Sequence, residues 1–92
     1  MSTIKNITVM GATGSIGQST LELVRQFPEA FSIHALVAGS DVDGLAALVR
    51  EFRPKIIGIG DATKLDCLYE AVGGLQIEIV GGAAACSKIA AM

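Results

Sequence analysis

The chain has 92 residues, enough for one small domain and too few for two. Hydrophobic residues make up 51% of the sequence, a composition typical of a parallel sheet that is buried on both faces. The net charge of −2 and the scattered basic residues argue against nucleic acid as a partner, and no apolar run reaches the roughly 18 residues that a membrane span needs.

The first predicted strand leads into a glycine-rich turn and then into a helix. Residues 4–10 are rich in β-branched side chains, which favour a strand. Residues 16–27 follow a helical pattern that Pro28 ends, and Ser15 is predicted to cap this helix because Gln18 lies at the capping-box spacing. The predicted inner face of the helix consists of Ile16, Thr20, Leu23, Val24 and Phe27.

Two further apolar runs predict the second and third strands, with a helix between them. The strands are predicted at residues 31–38 and 55–60. Ser40 or Asp41 is predicted to cap the intervening helix, which Pro54 ends. The predicted inner face of this second helix consists of Leu45, Leu48, Val49 and Phe52.

The last third of the chain predicts one more strand between two helices. Asp61 is a candidate cap for a third helix, residues 76–80 predict a fourth strand, and a helix-prone run starts at Ala83. We therefore predict an α/β fold, a Rossmann-like doubly wound parallel sheet in three α/β/α layers that is truncated after about four strands. The final helical run reaches Met92 without a cap, so residues 1–92 are expected to be one domain of a longer protein.

Residues 11–17, called here the glycine turn, are the candidate binding site. Gly11 allows a tight exit from the first strand, Gly14 removes a Cβ where a pyrophosphate would approach, and Gly17 lets the helix pack closely on the sheet. The hydroxyl groups of Thr13 and Ser15 add donors to backbone N–H groups that point towards an anion. The GxxGxxG spacing is a variant that we associate with NADP-using reductases. A structural turn without a ligand is the alternative, but the flanking strand and helix favour nucleotide binding.

The segment after the second predicted strand, Gly39-Ser40-Asp41, lies where such folds bind the adenosine ribose. The carboxylate of Asp41 would favour the 2′-hydroxyl group of NAD, whereas an Arg or Lys would favour the 2′-phosphate of NADP. Asp41 is equally well explained as the N-cap of the second helix. Ser40 can donate a hydrogen bond to a phosphate but supplies no charge.

The other candidate residues give weaker signals. His34 has no Asp, Glu or Cys near it in sequence and is predicted to be a core residue of a buried strand. Asp61 follows the third strand, where it either approaches a cofactor or caps a helix. Cys67 and Cys86 form no metal-binding motif and are predicted to be reduced thiols of a cytoplasmic protein, since no secretory signal precedes Gly11. No catalytic residue or metal ligand is predicted in the chain.

Residues 9–25 closely resemble the start of the 1-deoxy-D-xylulose 5-phosphate reductoisomerases. The resemblance rests on the segment Gly-Ala-Thr-Gly-Ser-Ile-Gly followed by a Ser-Thr-Leu helix, and it extends over residues 31–39 and the Gly-Ala-Ala-Ala-Cys segment near the end of the chain. It implies that residues 1–92 are the NADP-binding Rossmann-like domain of an NADPH-dependent oxidoreductase of non-mevalonate isoprene biosynthesis. Such an enzyme rearranges and reduces its sugar phosphate to 2-C-methyl-D-erythritol 4-phosphate with a divalent metal, manganese or magnesium.

By position, the resemblance implies that NADPH contacts two segments, which comprise Thr13, Gly14, Ser15 and Ile16 in the turn and Gly39, Ser40 and Asp41 after the second strand. The family usually has Lys or Arg and then Asn where this chain has Ser40 and Asp41, so weaker NADPH binding is expected. The metal ligands and substrate contacts of the family lie beyond a domain of this size, so the chain alone is expected to be inactive, and the intact enzyme is expected to be a homodimer. Two alternatives remain: the cofactor domain of another NAD(P)-dependent reductase, and a non-catalytic nucleotide-sensing module.

Overall fold

The computed structural model describes residues 4–73 and 75–90, in which strands and helices alternate around one parallel sheet. The strands are β1 (Lys5–Met10), β2 (Phe31–Ala38), β3 (Ile56–Ile59) and β4 (Glu78–Gly81). The helices are α1 (Ser15–Gln26), α2 (Val42–Phe52), α3 (Leu65–Ala71) and α4 (Ala83–Ala90), and a short 3-10 turn at Ala62–Lys64 precedes α3. The strand order is β1-β2-β3-β4, and every neighbouring pair is parallel.

Helices cover both faces of the sheet. In β2, Leu36 and Ala38 face one apolar cluster, whereas Ala35 and Val37 face the other, as the alternation of a strand requires. The larger cluster includes residues from α1, α2 and α3, among them Leu21, Leu45, Val49 and Leu68. The smaller cluster is formed with α4 through Cys86 and Ile89. The predicted Rossmann-like fold in three α/β/α layers is therefore confirmed.

The sheet contains one irregularity, at His34. Ile7 of β1 pairs with Ile33, and the next residue, Thr8, pairs with Ala35, so His34 has no partner residue in β1. This β-bulge shifts by one residue the alternation of side chains between the two faces of β2. Ile33 and Leu36 therefore both lie in the larger cluster although they are three residues apart. His34 is only half-buried at the bulge, so the prediction of a core histidine is corrected.

The buried face of α1 also differs from the predicted one. Val24 is buried as predicted, but its buried partners are Gly17 and Leu21. Ile16 and Leu23, both predicted to face the sheet, are 83% and 48% exposed. The close contact of Gly17 with the preceding turn fixes the rotation of the helix. Leu21 and Val24, four and seven residues after Gly17, therefore point inwards. Phe27 is also exposed, so most of the predicted inner face of α1 was wrong.

The second helix has the predicted orientation. Leu45, Leu48 and Val49 are buried against the sheet, and Phe52 is half-buried at the edge of the same cluster. No helix in residues 4–73 and 75–90 combines the length and the apolar character that crossing a bilayer requires.

An exposed ion pair joins α1 to α2. Arg25 donates from Nε and Nη2 to the two carboxylate oxygens of Glu51, at 2.6 and 2.8 Å, and from Nη1 to Glu22 at 3.1 Å. The guanidinium carbon lies 5.3 Å from the centre of the Phe52 ring. The hydrogen bonds from Arg25 lower the pKa of Glu51.

We expect Glu51→Gln to reduce the decrease in the free energy of unfolding that occurs when the pH is lowered. A carboxylate whose pKa is lowered in the folded state stabilises the protein above its unfolded pKa, and this contribution is lost as the pH falls through the folded pKa. Because both side chains are partly exposed, the loss at neutral pH should stay below about 1 kcal/mol. Urea titrations between pH 7 and pH 3 measure it. Glu29→Gln, an exposed carboxylate outside the ion pairs found in the described residues, is the control.

Candidate functional site

The glycine turn connects β1 to α1 and is held against the neighbouring strand β2. Gly11 has a φ of 62°, in the left-handed region that glycine adopts without strain. The N–H group of Ala12 donates to the carbonyl oxygen of Val37 at 2.8 Å, and the N–H group of Gly14 donates to that of Gly11 at 2.9 Å. Ala12 is fully buried, so the middle of the turn is part of the core.

Gly17 places the first turn of α1 directly against this backbone. A Cβ atom at Gly17 would overlap the carbonyl oxygen of Gly11 and lie 2.8 Å from the Cα atom of Ala12. Both neighbours are backbone atoms, which cannot move aside as the end of a side chain can. At Gly14, a Cβ atom would lie 3.3 Å from the same carbonyl oxygen. The tight turn and the close helix therefore depend on glycine at residues 11 and 17.

The amino end of α1 presents unpaired backbone donors. Gly14 is the N-cap residue, and no side chain caps the helix. The predicted cap at Ser15 is therefore wrong, because Ser15 is already the first residue of the helix. Within the described residues, the N–H groups of Ser15, Ile16 and Gly17 have no acceptor, and the first bonded N–H group is that of Gln18, which donates to the carbonyl oxygen of Gly14 at 2.9 Å. Three free donors at the positive end of a helix dipole form a site for an anion.

The loop after β2 lies beside the glycine turn. Asp41 caps α2, and its Oδ1 atom accepts a hydrogen bond from the N–H group of Gly44 at 2.9 Å. Thr13 packs next to the same glycine, since a Cβ atom at Gly44 would lie 3.0 Å from the methyl carbon of Thr13. The structure thus brings the two predicted segments together. Gly39, Ser40 and Asp41 are all exposed, so their polar groups are open to a ligand.

The loop after β3 is attached to the loop after β2. The N–H groups of Gly60 and Asp61 donate to the carbonyl oxygens of Ala38 and Gly39, both at 2.8 Å. The Oδ1 atom of Asp61 accepts hydrogen bonds from the hydroxyl and N–H groups of Thr63, at 2.6 and 3.0 Å, and the hydroxyl group is the main cause of its lowered pKa. Asp61 is thus a cap, one of the two predicted roles.

A cleft of about 560 Å³ opens between the amino end of α2 and the helix α3. The charged or polar side chains that line it are Ser40, Asp41, Asp43, Lys64, Cys67 and Glu70. Sequence reasoning did not find Lys64 or the contact of Gly44 with Thr13. No local sequence motif marks Lys64 or Gly44, because the place of Lys64 in the cleft and the contact of Gly44 with Thr13 both depend on how separate loops pack.

In the part of the chain that the structure describes, no three His, Cys, Asp or Glu side chains are placed so that they could hold one metal ion. The two cysteines are free thiols, with Cys67 exposed and Cys86 buried. Burial raises the pKa of the Cys86 thiol, which keeps it protonated.

Comparison with known proteins identifies relatives along nearly the whole chain. The model of the family described as 1-deoxy-D-xylulose 5-phosphate reductoisomerase matches residues 7–92. A protein of that name from Bradyrhizobium sp. (strain BTAi1 / ATCC BAA-1182) is 43% identical over 88 residues, covering 96% of this chain and 22% of the relative. One from Ralstonia pickettii (strain 12J) is 47% identical over 87 residues, covering 92% of this chain and 22% of the relative.

Solved structures give the same family. The 1-deoxy-D-xylulose 5-phosphate reductoisomerase from Zymomonas mobilis in complex with NADPH has a TM-score of 0.92 and 37% identity, covering 100% of this chain and 24% of that one. A DOX-P reductoisomerase in complex with magnesium has a TM-score of 0.89 and 40% identity, covering 96% of this chain and 22% of that one. The chain therefore spans about a fifth of the length of the curated relatives it matches.

Proposed function

The chain belongs to the 1-deoxy-D-xylulose 5-phosphate reductoisomerase family, and we propose that residues 1–92 form the NADPH-binding domain of such an enzyme. The intact enzyme converts 1-deoxy-D-xylulose 5-phosphate to 2-C-methyl-D-erythritol 4-phosphate in isoprenoid biosynthesis. The observation that carries this proposal is the set of three unpaired N–H groups at the start of α1, Ser15 to Gly17, where a Cβ atom at Gly17 would overlap the backbone of the preceding turn.

In this proposal the glycine turn holds the pyrophosphate of NADPH. The N–H groups of Ser15, Ile16 and Gly17 donate to its oxygens, and the hydroxyl groups of Thr13 and Ser15 provide further donors. Gly14 is exposed, so a phosphate can approach its backbone where no Cβ intervenes. Gly11 sets the left-handed turn that aims these donors, and the first turn of α1 contains no acidic residue to repel the anion.

The loop Gly39-Ser40-Asp41 is proposed to bind the adenosine ribose. It lies at the carboxyl end of β2, next to the glycine turn, where dinucleotide-binding folds place this part of the cofactor. The Ser40 hydroxyl group donates to the ribose or its phosphate. When bound, NADPH supplies the hydride for the reduction, and this chain positions it.

The remaining functions of the enzyme are proposed to lie outside these residues. The divalent metal, manganese or magnesium, requires a group of ligands that the described residues do not form, and the sugar phosphate is proposed to bind beside that metal. The relatives are longer than this chain, which leaves room in them for metal, substrate and carboxyl-terminal domains. We further propose that the intact enzyme is cytoplasmic and forms a homodimer. Sedimentation equilibrium tests the dimer.

Titration of the intact protein with NADPH tests the proposal. We expect one NADPH bound per chain, and NADPH-dependent turnover of 1-deoxy-D-xylulose 5-phosphate in the presence of manganese or magnesium. Binding of NADPH without turnover of this substrate would favour the cofactor domain of another reductase or a nucleotide-sensing module. An absence of binding would contradict the proposal as a whole.

We expect Ser40→Arg combined with Asp41→Asn to tighten NADPH binding about tenfold. The double substitution adds a cation and removes a carboxylate beside the expected 2′-phosphate, while Asn still caps α2. Calorimetric titrations with NADPH and NADH measure the change. Ser87→Arg, at an exposed position of α4, is the control for added charge. Unchanged NADPH affinity in the double variant would contradict this placement of the 2′-phosphate.

A further inference from the structure

The loop proposed to bind the adenosine ribose lacks a cation. A 2′-phosphate is usually accommodated by a basic side chain, yet the one charged side chain in Gly39-Ser40-Asp41 is the carboxylate of Asp41. The cleft that begins at Ser40 is lined by one basic residue, Lys64. We propose that Lys64 binds the 2′-phosphate of NADPH and determines the preference of this site for NADPH over NADH, an inference that rests on the proposed function.

Backbone hydrogen bonds fix Lys64 relative to the ribose loop. Asp61 donates from its N–H group to the carbonyl oxygen of Gly39 at 2.8 Å, which ties the loop after β3 to the loop after β2. The N–H group of Lys64 donates to the carbonyl oxygen of Asp61 at 3.0 Å and closes the turn. Lys64 therefore lies one backbone turn after Asp61, the residue that is hydrogen-bonded to Gly39 beside Ser40. Only the flexible side chain must adjust to reach a phosphate.

The ammonium group of Lys64 is available to a ligand. Asp61, the carboxylate in the same turn, accepts its hydrogen bonds from the N–H and hydroxyl groups of Thr63, and the charge of Lys64 contributes to the lowered pKa of Asp61 without an ion pair between them. The ion pairs found in the described part of the chain are those of Arg25 with Glu22 and Glu51, near the carboxyl ends of α1 and α2. Lys64 itself is exposed, so its charge is neither buried nor held in such a pair.

The other charged side chains of the cleft make this lysine decisive. They are the carboxylates of Asp41, Asp43 and Glu70. The charge of Asp41 is partly offset because its Oδ1 atom accepts from the N–H group of Gly44 at the amino end of α2. Without Lys64, every charged side chain that lines the cleft would be negative and would repel a 2′-phosphate, whereas the 2′-hydroxyl group of NADH carries no charge to be repelled. Lys64 should therefore affect the two cofactors differently.

The test compares NADPH and NADH binding to Lys64 variants of the intact protein by calorimetry. Lys64→Ala is expected to weaken NADPH binding roughly ten- to a hundredfold, the loss of one charge-assisted hydrogen bond, and to change NADH binding less than about threefold. Lys64→Arg should retain the NADPH preference. Lys55→Ala removes an exposed lysine at the opposite end of β3 and should change neither affinity.

A smaller ligand isolates the phosphate. Adenosine 2′,5′-bisphosphate should compete with NADPH less well in Lys64→Ala than in the wild type, while competition by 5′-AMP should be the same in both. Equal weakening of NADPH and NADH binding in Lys64→Ala, or unchanged NADPH binding, would overturn the role of Lys64 and leave the proposed function standing. A wild-type protein that binds neither dinucleotide would overturn both.

Discussion

Gly17→Ala is expected to abolish measurable NADPH binding, with an affinity loss of at least about a hundredfold, because several charge-assisted hydrogen bonds are lost together. The added Cβ atom overlaps the carbonyl oxygen of Gly11 and approaches the Cα atom of Ala12. Either α1 moves away from the turn or the turn opens, and in both cases the free N–H groups of residues 15–17 no longer converge on one anion. The free energy of unfolding should fall by about 2 kcal/mol or more, as overpacking against backbone predicts.

Gly73→Ala is the matched control for this substitution. Gly73 lies after α3, outside the glycine turn and the residues that line the cleft, and an added Cβ atom there comes no closer than 3.4 Å to the carbonyl oxygen of Glu70. NADPH titration and urea unfolding should show little change for this variant. If Gly17→Ala bound NADPH as the wild type does, the close contact between α1 and the turn would not be needed for binding.

Leu21→Ala is expected to destabilise the fold by about 2–5 kcal/mol, whereas Leu23→Ala should cost less than about 1 kcal/mol. Leu21 is fully buried in the larger apolar cluster, and Leu23, two residues later on the same helix, is 48% exposed. Both variants replace a leucine of α1 with alanine, and they differ only in the face of the helix on which that leucine lies. Urea unfolding of both proteins measures the difference. Equal costs would contradict the rotation of α1 described above.

The glycine turn was predictable because its signals are local. Gly11 and Gly17 lie between a β-branched run and a helical pattern, and the positive φ of Gly11 and the contact of Gly17 are what such a spacing requires. The caps of Asp41 and Asp61 follow from the same kind of short-range chemistry. The order of strands and helices was predictable for the same reason.

The errors concern features that depend on tertiary packing. The sequence of α1 contains two apolar stripes, one with Leu21 and one with Ile16 and Leu23, and the choice between them is made by the contact of Gly17 with the turn. The bulge at His34 depends on the register between β1 and β2. The loop that carries Lys64 is joined to the loop after β2 by backbone hydrogen bonds between two separate segments, which no spacing in the chain indicates.

The amino end of α1 is proposed to bind the pyrophosphate of NADPH. The most direct measurement is the change in the backbone amide resonances of Ser15 and Gly17 when NADPH is added to intact protein labelled selectively in serine and glycine. These two resonances should shift in a saturable way, more strongly than that of the control residue Gly73. Saturable shifts at other residues, with Ser15 and Gly17 unchanged, would contradict the claim and place the cofactor elsewhere on the molecule.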